Sequence, residues 1–137
     1  FIITQADGVV NVVDKEGKSL PGWPYKTPHS IYSPPQIIDL DNDGKLDIVY
    51  TAWNPDGTGK EAGYVMALNR NGKVVPGFPK KIGKAIAPVT FADLDGDGLL
   101  EMIAAGGINY TDAQLHVFPT SSKVQIKMAV LGSEFTF

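Results

Sequence analysis

Two acidic stretches set the chemistry this chain can do: Asp-Leu-Asp-Asn-Asp-Gly-Lys-Leu-Asp at 39–47 and Asp-Leu-Asp-Gly-Asp-Gly-Leu-Leu-Glu at 93–101. Each puts carboxylates at positions 1, 3, 5 and 9, with glycine at position 6. Oxygen donors at alternating positions let a tight loop wrap around one hard cation, and calcium takes roughly 6–8 oxygens at about 2.3–2.6 Å. A first calcium ion is expected on Asp39, Asp41, Asp43 and Asp47 with the Lys45 carbonyl. A second is expected on Asp93, Asp95, Asp97 and Glu101 with the Leu99 carbonyl. Gly44 and Gly98 permit the backbone to fold back on itself. A surface turn that binds nothing is the plainer alternative, but four carboxylates this close repel one another without a cation.

An EF-hand shares the opening of this pattern, yet it needs a bidentate Glu at position 12 and a helix on each side. Position 12 is Tyr50 in the first stretch and Ala104 in the second. The flanks, Gln36-Ile37-Ile38 and Leu46-Asp47-Ile48-Val49-Tyr50 in the first case, are short β-branched runs that predict strands.

The elements that must position these loops emerge when the chain is compared with itself. Asp39 and Asp93 stand 54 residues apart. Gly8 to Lys18 matches Gly63 to Lys73, and Pro21-Gly22-Trp23-Pro24 matches Pro76-Gly77-Phe78-Pro79, both at an offset of 55. Each unit predicts four short strands. The first enters the acidic loop (35–40 and 88–94) and the second leaves it (46–52 and 100–105). The third places Tyr64, Met66 and Leu68 on one face against Val65, Ala67 and Asn69 on the other, and ends in a turn rich in Gly and Asx. The fourth carries the Pro-Gly-aromatic-Pro element, which proline confines to a sheet edge. Four-stranded antiparallel units repeated radially describe an all-β fold, a β-propeller.

The units resemble FG-GAP/VCBS-type repeats, the calcium-loop blades of integrin α-subunit propellers and of many secreted microbial proteins. The resemblance is carried by Phe91-Ala92-Asp93-Leu94-Asp95-Gly96-Asp97-Gly98 and its variant Ile37-Ile38-Asp39-Leu40-Asp41-Asn42-Asp43-Gly44, and covers roughly residues 1–118. It implies a calcium-loaded propeller outside the cell, secreted or at the cell surface. The function expected is a non-catalytic binding or adhesion scaffold for a protein or glycan ligand. Its alternatives are an accessory propeller of a larger extracellular polysaccharide-degrading enzyme or protease, and a spacer without a ligand.

About two and a half blades are expected: a partial blade at 1–31 with strands two to four, a complete blade at 32–86, and a partial blade at 87–137. After Phe118 the Pro-Gly-aromatic-Pro element does not recur; Pro119 to Lys123 is expected to turn, and Val124 to Val130 to form a fourth strand. Gly132-Ser133-Glu134-Phe135 resembles a cloning-linker translation. Two and a half blades fall short of the roughly four that close a ring. Either the chain is part of a longer one, or exposed strand edges drive self-association that completes a propeller.

Composition narrows the remaining choices. The 137 residues suffice for one core, and hydrophobic residues make up 43%. No apolar run approaches the ~20 residues of a membrane span. Without cysteine there is neither a disulfide framework nor a thiolate metal site. The formal charge is −3, with 8 of the 15 acids in the two loops and the lysines scattered, so no nucleic-acid surface is indicated. His29 and His116, the only histidines, sit in no H-E-x-x-H; there is no G-x-S-x-G, and Gly57-Thr58-Gly59-Lys60 lacks the spacing of a phosphate loop. No enzyme is read from these residues. Trp23 and Phe78 occupy equivalent repeat positions and are expected to pack between blades. Trp53 differs, because it opens an insertion at 54–61 with no counterpart in the first unit, and such insertions often line a binding face. Asn109-Tyr110-Thr111 matches a glycosylation acceptor.

Overall fold

Short β-branched runs punctuated by Gly and Pro fold as strands, and the computed structural model, which describes residues 1–54, 62–107 and 112–124, places ten of them in three antiparallel sheets. The first sheet joins β1 (Ile2–Thr4), β2 (Val9–Val12) and β3 (Tyr25–Lys26). The second joins β4 (Gln36–Ile38), β5 (Asp47–Asn54), β6 (Ala62–Leu68) and β7 (Lys80–Lys81). The third joins β8 (Thr90–Ala92), β9 (Leu99–Gly107) and β10 (Ala113–Lys123). Strands neighbour one another in chain order in every sheet, which is the meander of a propeller blade. Among the described residues there is no helix, and so none long and apolar enough to cross a membrane.

Side chains alternate across a strand, and the second sheet uses both of its faces. Ile48, Tyr50, Ala52, Met66 and Leu68 pack with Val10, Trp23 and Ile31 toward the first sheet. Val49, Val65 and Ala67 point the other way, to Met102 and Ala104 of the third and to Val89 just ahead of it. The residues of β6 that alternate along the strand are therefore buried on both sides, unlike those of a sheet with one wet face. Thr51, fully buried, ties the connections on either side: its N–H donates to the Ser33 hydroxyl (3.1 Å) and its own hydroxyl donates to Ala87 O (2.9 Å).

Two local expectations are corrected. The Pro-Gly-aromatic-Pro element is a turn that precedes the fourth strand: Trp23 N–H donates to Leu20 O and Phe78 N–H to Val75 O, and the edge strands are the residue pairs that follow. Proline, unable to donate to a ladder, sits where no ladder runs. Trp23 docks this turn onto the next sheet, its indole N–H donating to Arg70 O at 3.1 Å. Residues 119–123 do not turn either. They continue β10 through a register shift between Pro119 and Lys123, so that Lys123 pairs with Leu99 and Val124 N–H donates to Gly98 O. The missing Asx-Gly pair explains the difference: Asn69 in the second sheet caps its own turn by accepting from the Asn71 and Lys73 N–H groups, and Pro119 at the same register has no such side chain. The strand expected at 124–130 lies outside the described residues beyond Val124.

Leu68 is fully buried between the first and second sheets. Leu68→Ala is expected to cost about 2–5 kcal/mol, read as a lower urea midpoint with an unchanged slope.

Candidate metal centre

Each acidic stretch is the connection between the first two strands of its sheet. Pairing of Ile38 with Asp47 closes the first loop and pairing of Ala92 with Glu101 closes the second, so the carboxylate at position 9 stands beside the base of the loop. Gly44 (φ 82°) and Gly98 (φ 86°) take left-handed conformations at position 6, where a Cβ would be strained.

The two loops are wired alike. Position 1 accepts from the position 6 amide: Gly44 N–H to Asp39 Oδ2 at 2.9 Å, Gly98 N–H to Asp93 Oδ2 at 3.0 Å. Position 3 accepts from position 5, Asp43 N–H to Asp41 Oδ1 (3.2 Å) and Asp97 N–H to Asp95 Oδ1 (3.1 Å). Position 5 accepts from position 7, in both cases at 2.8 Å, from Lys45 N–H to Asp43 and from Leu99 N–H to Asp97. Position 9 reaches back to position 2: Leu40 N–H donates to Asp47 Oδ2 at 3.0 Å and Leu94 N–H to Glu101 Oε2 at 2.8 Å. Asp and Glu at position 9 thus make the same bond despite the extra methylene.

Carboxylate oxygens of Asp39, Asp41 and Asp43 lie within 4.8 Å of one another, as do those of Asp93, Asp95 and Glu101. Such hard anionic oxygens suit a hard divalent cation. Asp47 and Asp97 stand outside these two tight groups, held by the backbone bonds just described. Lys45 lies across the first loop with its ammonium 2.9 Å from Asp43 Oδ2, which holds that carboxyl below its usual range. Leu99 at the same place in the second loop opens β9. Asp47 is only 3% exposed; burial pushes its carboxyl up to about 6, and the charges of Asp41, Asp43 and Asp39 add to the effect against the opposing Leu40 N–H.

Some contributors carry weak sequence signals. Position 4 needs a left-handed residue as much as position 6 does, supplied by Asn42 (φ 59°) and Gly96 (φ 81°); the Asn/Gly alternation between the repeats was the available clue. At the opposite end of β5 the Lys84 ammonium lies 4.3 Å from the Trp53 ring centroid, and the Tyr32 ring centroid is 6.4 Å away. Trp53 belongs to the strand itself, bridged to Ser30, while residues 55–61 of the insertion and the acceptor at 109–111 lie outside the described residues. His29 packs on Tyr64 with ring centroids 4.7 Å apart, and burial lowers its pKa; His116 lies in β10, stacked on Phe118.

Residues 39–104 match the family model of the FG-GAP-like repeat, a span that begins at the first aspartate of one loop and runs past the last acid of the other. No curated protein and no solved structure matches the chain.

In metal-free protein the Asp47 carboxyl holds its proton up to about pH 6 when folded, against 3.8 as its ordinary value. The folded state binds the extra proton between these values, so stability falls as pH rises from about 4 to about 6 and the penalty is complete above. Asp47→Asn, which keeps an acceptor for Leu40 N–H, is expected to stabilise the metal-free protein at neutral pH by about 2–3 kcal/mol and to flatten that pH dependence. Urea melts in chelator at both ends of the window test this; parallel curves for variant and wild type would refute it.

Proposed function

We propose, for a protein whose residues 39–104 form an FG-GAP-like repeat, that each acidic loop holds one calcium ion and that the calcium-stabilised blades serve as a non-catalytic binding or adhesion scaffold outside the cell. The observation that carries the reading is the common wiring of the two loops, which aims carboxylates of positions 1 and 3 at one small volume in both. Asp39, Asp41 and Asp43 would hold the first ion and Asp93, Asp95 and Glu101 the second, with Asp47, Asp97 and the Lys45 and Leu99 carbonyls completing the shells. The bound charge offsets the mutual repulsion of the carboxylates and so fixes the turn between the first two strands of the sheet. Extracellular calcium modules bind at roughly 10⁻⁴–10⁻³ M, which suits surroundings where the ion is plentiful.

Separation supports a structural rather than a ligand-contacting role for the ion. Asp47 begins β5 and Trp53 nearly ends it, so the loops and the Trp53–Tyr32–Lys84 group lie about 20 Å apart along the strand. An exposed tyrosine, a tryptophan and a lysine at one end of a rigid strand offer stacking and cation contacts to a glycan or protein ligand.

Adding calcium to metal-stripped protein is expected to raise the melting temperature where magnesium does not; a site of Kd ~10⁻⁴ M in ~10 mM calcium contributes about 2.7 kcal/mol. Asp41→Ala and Asp95→Ala should each remove part of that gain. A melt indifferent to calcium removes the metal from the reading. On a glycan and matrix-protein array, Trp53→Ala is expected to weaken capture with an unchanged melt, and an array blank for the wild type would leave a spacer as the better account.

A further inference from the structure

A lysine stands inside the first acidic loop, and it spends both of its donors on one carboxylate. The Lys45 backbone N–H reaches Asp43 Oδ1 at 2.8 Å and its ammonium reaches Asp43 Oδ2 at 2.9 Å. Asp43 is one of the three carboxylates gathered within 4.8 Å of one another in that loop, and Asp47 stands outside the group. In the second loop the third member is Glu101 instead, and the residue in the place of Lys45 is Leu99. A second base borders the first loop. Arg70, in the turn after β6, lines a depression of about 210 Å³ together with Asp41, Asp43, Lys45 and Asp47. Its carbonyl is held at 3.1 Å by the Trp23 indole N–H, and its charge acts on Asp43 in the same sense as that of Lys45.

We propose that Lys45 is an internal counter-ion that competes with calcium for Asp43, so that the first loop fills only as the ammonium is displaced, with Arg70 adding to the opposing charge. The inference rests on the calcium reading of the loops given above. Calcium reaching Asp43 must break a charge-assisted hydrogen bond, and a divalent ion and an ammonium on the same carboxylate repel one another. The ion pair is about half exposed, so water screens it and the ammonium yields to calcium rather than excluding it. Without calcium the same ammonium offsets the repulsion among the loop carboxylates. One side chain therefore acts in opposite senses in the two states: it steadies the empty loop and weakens the filled one. The carbonyl at position 7 belongs to the backbone, so a side-chain substitution separates the competitor from the donor beside it.

Calcium titration by calorimetry of metal-stripped protein carrying Asp95→Ala, which disables the second loop, reads the first loop by itself; Asp97→Asn serves where that variant melts early. In this background Lys45→Gln is expected to tighten calcium binding about fivefold, and Arg70→Gln about twofold. Both gains should shrink in ~0.5 M potassium chloride, where exposed charges are screened. Lys45→Arg, which keeps the charge, should gain nothing. In chelator the sign reverses, and Lys45→Gln is expected to melt below its parent. Calcium binding that Lys45→Gln leaves equal or weaker overturns the competitor while the calcium reading stands. Absence of calcium binding in the unsubstituted protein and in every variant removes the calcium reading itself, and the competitor with it.

Discussion

Burial on both faces of the second sheet is the constraint on which the architecture rests. A strand that is wet on one side tolerates any polar residue there, but β5 and β6 have no wet side through Leu68. Apolar residues at successive positions, Ile48-Val49-Tyr50 and Val65-Met66-Ala67-Leu68, satisfy the sheets on either side at once. Each buried side chain removes area from water at about 25 cal/mol per Å². Because the three sheets share that interface pattern, the position of each acidic loop is fixed by packing far from the loop itself.

Two buried polar side chains of this stack join one connection to the next. Thr51 is the clearest case, with Ser33 and Ala87 as partners on the segments that enter and leave the second sheet. Trp23 does the same at the rim, burying its ring while its indole N–H is satisfied by Arg70 O. Polar atoms withdrawn from water without a partner are costly, so these bonds also select which segments can lie side by side.

The loops work by the opposite balance. Their carboxylates sit together because backbone N–H groups hold them, position by position, and the fixed N–H dipoles offset only part of the repulsion. Asp47, drawn out of water at the base of the first loop, has its pKa raised chiefly by that burial, and the neighbouring carboxylates add to it. Lys45 relieves the repulsion locally in the first loop, and the second has leucine there. The same groups that make the metal-free loop uneasy are those that a divalent cation would satisfy.

Spacing alone determined much of this protein. Carboxylates at alternating positions with glycine at the sixth specify a loop wound around a point, because backbone sterics leave few ways to fold those residues, and the 54–55-residue offset places the sheets. The match of residues 39–104 to the FG-GAP-like repeat falls on those same loops. Tertiary structure decided what local pattern could not. The prolines around Trp23 and Phe78 forbid a central strand, but only the finished sheet shows the turn ending before the edge strand begins. Pro119 to Lys123 carries residues compatible with a turn, and the choice of strand rests on long-range pairing with Leu99 and Gly98. Likewise Leu115 and Val65 are equally apolar in sequence; which one is buried depends on whether another sheet lies against it. Spacing is a property of the chain, while burial belongs to whatever packs beside it.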